Sequence, residues 1–257
     1  MKPRIGIFGL SGCWGEQIVM LNCEDELFSL VGAVEFADFL GASSVNDEEG
    51  PLDIAFVEGS VGNAREEAAL RRIRTRAKFL VACGTCACCG GVAALVNDTA
   101  RQRELAASIY GPMADGYDMR PHRPLHDYVP VDAVVTGCPM EKDEFLRVVA
   151  CLLNGDRPEP VMTPVCAECR MREQECLLIT AHLPCAGAVT VGGCGARCPG
   201  YNVPCIGCRG PVEEANVQSM EAILVQAGFT LDDIRQRLRT FAPPAAAPQR
   251  QKEEVRR

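Results

Sequence analysis

Four short apolar runs punctuate the first half of the chain: Ile5–Leu10, Asp53–Val57, Phe79–Ala82 and Ala133–Thr136. Each is rich in strand-forming residues and each ends in a loop of glycine, cysteine or both. The loops are Ser11-Gly-Cys-Trp-Gly-Glu-Gln, Glu58-Gly-Ser-Val, Cys83-Gly-Thr-Cys-Ala-Cys-Cys-Gly-Gly and Gly137-Cys-Pro-Met. Helical periodicity follows at Ile18–Leu30, Ala64–Arg76, a shorter stretch after Gly90, and Glu141–Leu153. Strand, loop and helix in repeated succession predict an α/β fold on a parallel sheet. Functional groups of such sheets gather in the loops beyond the carboxyl ends of the strands. Cys13, Cys86 and Cys138 lie in three of the four loops, so one edge of the sheet can bring them together.

The pattern changes after residue 156. Arg157-Pro-Glu-Pro-Val-Met-Thr-Pro reads as a proline-rich linker over 157–164. The segment to about Pro211 has little apolar periodicity, which predicts that metal rather than packing holds it together. Two helices, Glu213–Ala227 and Leu231–Phe241, follow on either side of Gly228. The Pro/Ala-rich and then charged tail from Ala242 is expected to be disordered. The expected organisation is therefore a domain over 1–156, the linker, a cysteine-rich domain with its helices over 165–241, and a tail over 242–257.

That second domain holds eight cysteines: Cys166, Cys169, Cys176, Cys185, Cys194, Cys198, Cys205 and Cys208. At these spacings two four-cysteine metal sites fit better than a disulfide framework. Glycines and prolines around them, as in Val191-Gly-Gly-Cys-Gly-Ala-Arg-Cys-Pro, let the loops bend tightly and aim backbone N–H groups at sulfur. Iron–sulfur clusters and zinc both remain open on spacing alone.

Composition narrows the classes. Hydrophobic residues make up 47% of the 257, enough for a core, and the 16 cysteines far exceed ordinary usage. A net charge of −8 argues against nucleic acid as a partner, and against zinc fingers with it. No leader and no apolar run of membrane-spanning length is evident, which predicts a cytoplasmic protein whose thiols stay reduced. Ile5-Gly-Ile-Phe-Gly-Leu-Ser-Gly lacks both the dinucleotide and the Walker spacing. No Ser/His/Asp set or carboxylate pair suggests hydrolysis.

Taken together, Ser11-Gly-Cys-Trp-Gly, Val57-Glu-Gly-Ser-Val, Cys83-Gly-Thr-Cys-Ala, Gly137-Cys-Pro and the run from Cys166 to Pro211 resemble the small subunit of cytoplasmic nickel–iron hydrogenases. The nearest resemblance is to the methyl-viologen-reducing, F420-reducing and sulfhydrogenase group, with a related cluster subunit in NADH:ubiquinone oxidoreductase. It implies a flavodoxin-like N-terminal domain and a small cysteine-rich iron–sulfur domain. It also implies three [4Fe–4S] clusters: proximal, medial and distal. The proximal ligands carried over are Cys13, Cys86 and Cys138. The eight C-terminal cysteines carry over as the other ligands, most simply as Cys166, Cys169, Cys176 and Cys185 on one cluster and Cys194, Cys198, Cys205 and Cys208 on the other.

One position departs from that family pattern. Glu16 stands where the family has the second cysteine of the first loop. Three readings stay open: Glu16 is the fourth ligand, with a harder donor and a changed potential; Cys89, Cys88, Cys83 or Cys23 supplies a thiolate instead; or Glu16 only favours a helix N-terminus. Glu58 is a further carboxylate candidate. Cys23 and Cys151 read as small buried hydrophobes. His122, His126 and His182 fit no ligand pattern, and Trp14 is expected over the proximal cluster or against a partner.

The resemblance implies an electron-transfer subunit with no catalytic residue of its own. It would relay electrons between a hydrogenase-type large subunit and a diaphorase-like, heterodisulfide-reductase-like or ferredoxin partner. The alternative is a relay in a hydrogenase-like complex that lacks nickel, to which the substitution at position 16 lends weight. A zinc-stabilised interaction module is the third class, and it would be colourless.

Overall fold

The computed structural model describes residues 2–241, so the tail 242–257 lies outside the described residues. Five parallel strands form one sheet: β1 (Arg4–Gly9), β2 (Glu35–Phe39), β3 (Leu52–Glu58), β4 (Ala77–Cys83) and β5 (Ala133–Val135). Their order is β2-β1-β3-β4-β5, the flavodoxin-like winding. The central strands are apolar on both faces, as a doubly covered parallel sheet requires. Ile54, Phe56 and Val81 face one layer, while Ala55, Val57, Leu80 and Ala82 face the other.

The first layer contains α1 (Gly15–Leu21), α2 (Glu24–Ala33) and α6 (Lys142–Leu153). Phe145 of α6 meets Phe56 edge-on, with ring centroids 5.2 Å apart, a geometry that adds about 0.5–1.5 kcal/mol beyond burial. The other layer contains α3 (Ala64–Arg76) and α4 (Gly84–Cys89), with Leu70, Ile73, Ala87 and Cys88 turned inward. A further helix, α5 (Thr99–Tyr110), belongs to the long connection from β4 to β5. Asn63 starts α3 by accepting the Glu66 N–H at 2.9 Å.

Three features differ from the sequence pattern. The stretch Ile18–Leu30 is two helices, because the chain turns at Asn22 and Cys23, whose side chain is fully buried. β2 is an edge strand that apolar periodicity does not announce. α4 is a short helix inside the cysteine loop after β4.

Beyond residue 156, α7 (Val165–Met171) opens the cysteine-rich half. Isolated bridges Pro164–Val191 and Thr190–Pro211 tie its loops to one another. The helices Val217–Gln226 and Leu231–Arg239 place Met220, Leu224 and Ile234 on Ala186 and Val189. This half therefore has a small apolar core as well as its thiols, more packing than the sequence suggests.

Candidate metal centres

At the carboxyl edge of the sheet, Cys13 follows β1, Cys86 sits within α4 and Cys138 follows β5. Trp14 adopts a left-handed conformation at φ 67°, turning the chain from the Cys13 loop into α1. Burial pushes the Cys138 thiol up to about 12, reinforced by Cys86, Glu16, Cys13 and Cys208 nearby. Burial, then Glu16 and Cys13, likewise push Cys86 up to about 11. Cys138 lies within electrostatic reach of the other three, so the fold gathers three thiols and one carboxyl at a single place.

Glu16 belongs to that place structurally and is not a solvated first-turn residue. It is 7% exposed, and its backbone N–H donates to Glu58 Oε2 at 3.1 Å. Gln17 donates to the same carboxylate twice, from its backbone at 3.3 Å and from Nε2 at 3.1 Å. Burial and the adjacent Glu58 push Glu16 up to about 7. A Cβ at Gly84 would strike the Glu16 carboxyl, so the carboxyl lies directly on the Cys83–Cys86 turn.

The other thiols weighed for the fourth position, Cys23, Cys83, Cys88 and Cys89, are buried. Cys23 donates to Val19 O at 3.4 Å, and Cys88 to Ala82 O at 3.6 Å. Cys89 abuts Gly210, where an added Cβ would come within 2.9 Å of its sulfur. Cys83 is fully buried beside Glu16 and Glu58 and lies 3.9 Å from Val81 O. Cys151 is half-buried on α6.

In the second half, Cys166, Cys169, Cys176 and Cys185 form one neighbourhood. Burial pushes Cys166 up to about 11, with Cys185, Cys169 and Cys176 adding to it. Cys208 is pushed up by burial and by Cys194 and Cys198, which define a second neighbourhood. Cys205 stands between the two. Its own thiol is pushed up to about 12 by burial, with Cys185 and Cys208 both nearby, and its backbone N–H donates to Cys185 Sγ at 3.3 Å.

The second neighbourhood also reaches the sheet edge. Thr85, 1% exposed, donates its hydroxyl to the Cys208 carbonyl at 2.5 Å and accepts from the Gly137 N–H at 3.2 Å. Burial raises the Cys208 thiol, and the neighbouring Cys138 backbone opposes that effect. Arg209, 2% exposed, donates to Gly192 O at 2.6 Å, Thr136 O at 2.7 Å and Glu144 Oε2 at 2.6 Å. Glu168, inside the first Cys-x-x-Cys, accepts the Gly193 N–H at 2.6 Å and the Ala196 N–H at 3.1 Å beside Cys194. Sequence reading missed Thr85, Glu144, Glu168 and Arg209. For Thr85, Glu168 and Arg209 the only signal is adjacency to a cysteine, and all four have partners far along the chain.

The donor set fits iron–sulfur clusters. Glycines leave open space against the sulfurs: an added Cβ would lie 3.3 Å from Cys13 Sγ at Gly15, 2.5 Å from Cys86 Sγ at Gly91 and 3.3 Å from Cys166 Sγ at Gly187. Buried thiols at elevated pKa are neutral and become thiolates only against a strong positive charge, which iron provides. Among the described residues, no three His, Cys, Asp or Glu side chains converge on a single-ion point.

Comparison with known proteins agrees with this chemistry. The profile of the family described as NADH ubiquinone oxidoreductase, 20 kDa subunit, matches residues 13–152. Sulfhydrogenase 2 subunit delta of Pyrococcus furiosus is 37% identical over 239 residues, covering 93% of this chain and 99% of its own. The chain belongs to this family. Within it, a subunit of the F420-non-reducing hydrogenase of Methanothermobacter marburgensis is 30% identical, covering 95% of this chain and 96% of its own. A crystal structure of an NAD+-reducing [NiFe]-hydrogenase superposes with a TM-score of 0.56 at 29% identity, over 62% of this chain and 96% of that one. The actinobacterial-type NiFe-hydrogenase of Ralstonia eutropha, at 17% identity and a TM-score of 0.57, shares the fold over 98% of this chain and 86% of its own. As a member of the family, the chain is part of an oxidoreductase complex. No helix among the described residues is long and apolar enough to cross a membrane.

The remaining candidates have structural partners. His122 shares a hydrogen bond with Ser60 Oγ at 3.0 Å, and burial lowers its pKa. His126 lies 3.6 Å from Asp127, and burial lowers its pKa as well. His182 occupies a left-handed turn at φ 51°. Trp14 is 45% exposed and lies along Gly9 and Gly41, at the ends of β1 and β2.

Proposed function

We propose that this chain is the electron-transfer small subunit of a cytoplasmic nickel–iron hydrogenase, carrying three [4Fe–4S] clusters. Its large subunit would hold the nickel–iron centre, and a diaphorase-like, heterodisulfide-reductase-like or ferredoxin partner would exchange electrons at the other end. The observation that carries the reading is the continuity of the three thiol groups. Thr85, beside Cys86, bonds the Cys208 carbonyl, and the Cys205 N–H of that second group donates to Cys185 Sγ of the third.

In this reading Cys13, Glu16, Cys86 and Cys138 hold the first cluster. Cys194, Cys198, Cys205 and Cys208 hold the middle one, and Cys166, Cys169, Cys176 and Cys185 the outer one. The relay thus runs against the order of the chain in its second half. Bound clusters supply one-electron storage at potentials set by charge, hydrogen bonding and burial. The protein's own part is to exclude water, to donate N–H groups to sulfur and to fix the distance from one group to the next. The sheet domain over 1–156 holds the first group, and the domain from 165 to 241 holds the other two.

Glu16 favours one rival, a relay in a related complex without nickel. A carboxyl ligand is less covalent than thiolate, so the first cluster would differ from an all-cysteine one. Replacing Cys138 by Ala in the anaerobically purified complex tests the ligand assignment. About four irons should be lost, with the other two clusters retained. Unchanged iron content would refute the first site.

A further inference from the structure

The fold places a single buried hydroxyl where three ligand-bearing segments meet. Thr85 precedes Cys86 in α4. Its backbone N–H donates to Gly137 O at 2.7 Å, and its hydroxyl accepts from the Gly137 N–H at 3.2 Å. That places it against the loop of Cys138. The same hydroxyl donates to the Cys208 carbonyl at 2.5 Å, across 123 residues of sequence. One side chain therefore bonds the segments carrying two ligands of the first site and one of the middle site.

The surroundings leave this hydroxyl little freedom. Thr85 is 1% exposed, and its methyl group lies about 4.0 Å from where a Cβ on Gly210 would stand. Arg209 secures the other side by bonding Thr136, the residue before Gly137, while it follows Cys208 directly. Cys138 and Cys208 are thus fixed relative to one another from both flanks.

We propose that Thr85 is the positioning residue of the electron crossing between the first and middle clusters, fixing the Cys138 loop against the Cys208 loop and so the distance an electron must cross. The inference rests on the function proposed above. A side chain of the same shape without the hydroxyl would leave the Gly137 N–H and the Cys208 carbonyl unpaired in the interior, which favours separation of the two loops.

The test uses the intact complex, purified without oxygen, with Thr85→Val, Thr85→Ser and Cys138→Ala. Iron content, the magnetic interaction between the reduced first and middle clusters by electron paramagnetic resonance, and the flash-induced transfer rate between them are measured. Thr85→Val should keep all iron, weaken the interaction and slow the transfer severalfold, whereas Thr85→Ser should restore both. Full iron with unchanged interaction and rate in Thr85→Val, or equal losses in Val and Ser, would overturn the proposal. If Thr85→Val loses iron, Thr85→Ser decides: full iron with the wild-type interaction and rate is expected, and a weakened interaction or slowed transfer at full iron overturns the proposal. Unchanged iron in Cys138→Ala would instead overturn the ligand assignment itself.

Discussion

Arg209 and Glu144 form the most buried ion pair among the described residues, at 2% and 9% side-chain exposure and 2.6 Å apart. The pair joins α6 of the sheet domain to the loop after Cys208, and the same guanidinium satisfies two carbonyls, of Thr136 and Gly192. Replacing Arg209 by Met strips Glu144 of its partner and leaves both carbonyls unpaired. Three bonds to a charged group are worth about 1.5–3 kcal/mol each, but removal also ends the cost of burying the guanidinium. The expected net loss is about 3–5 kcal/mol, typical of a broken buried pair. Glu144→Leu should cost a similar amount. The double variant Arg209→Met/Glu144→Leu should recover only the part due to the unpaired charge, because the Thr136 and Gly192 carbonyls still lack their donor. Burial already raises the Glu144 pKa while Arg209 lowers it. In Arg209→Met, Glu144 should therefore protonate, and the loss should shrink as pH falls. Anaerobic urea unfolding, followed by cluster absorbance and far-ultraviolet circular dichroism with iron assayed in parallel, measures all three variants. Single losses under about 1 kcal/mol, or a double variant equal to the sum of the singles, would refute the reasoning.

Further outcomes follow from the same geometry. Glu16→Cys should keep the iron of the first cluster and shift its potential; identical spectra and potential in titration would show that Glu16 makes no bond to it. Without iron, the stability of the chain should fall as pH rises from about 4.5 to about 7, because folding holds Glu16 protonated beside Glu58; Glu16→Gln should flatten that stretch of the profile. Gly91→Ala should cost the first cluster its iron, since Gly91 sits at φ +61° and a Cβ would press on Cys86 sulfur; a full iron complement would contradict the cradle. Reconstitution with iron and sulfide should accelerate toward alkaline pH, because burial raises the thiols of Cys86, Cys138, Cys166 and Cys205; a rate independent of pH would argue against thiol ionisation as the controlling step.

The sheet was legible where strands are buried on both faces, since Ile54–Val57 and Phe79–Ala82 are continuous apolar runs. β2 was not, because Asp38 sits in its interior. Asp38 is tolerated there only through the Arg76 guanidinium 3.1 Å away, from the end of α3. α4 was also illegible: Gly, Thr and three cysteines have weak helical preference, and tertiary contacts hold its single turn and a half. Helix α3 was legible to the residue, because its cap, its periodicity and the following strand agree.

The candidate site shows the same division. The thiols are visible in the sequence because cysteine in such density has few other uses. What holds the thiol groups in line is not visible there. Thr85 and Arg209 carry no signal beyond a neighbouring cysteine until the fold brings Gly137 and Glu144 to them. Glu16 lies between these cases. Its substitution for cysteine was plain, but its burial beside Glu58 comes only from the packing of α1 against the end of β3.

The central claim is that this chain relays electrons to and from a nickel–iron centre on a partner subunit. The native complex, captured through this chain and purified without oxygen, decides it by its metal ratio. About twelve irons in the clusters of this chain, with one nickel in the large subunit, are expected. The same iron with no nickel would contradict the claim and assign the relay to a different two-electron chemistry.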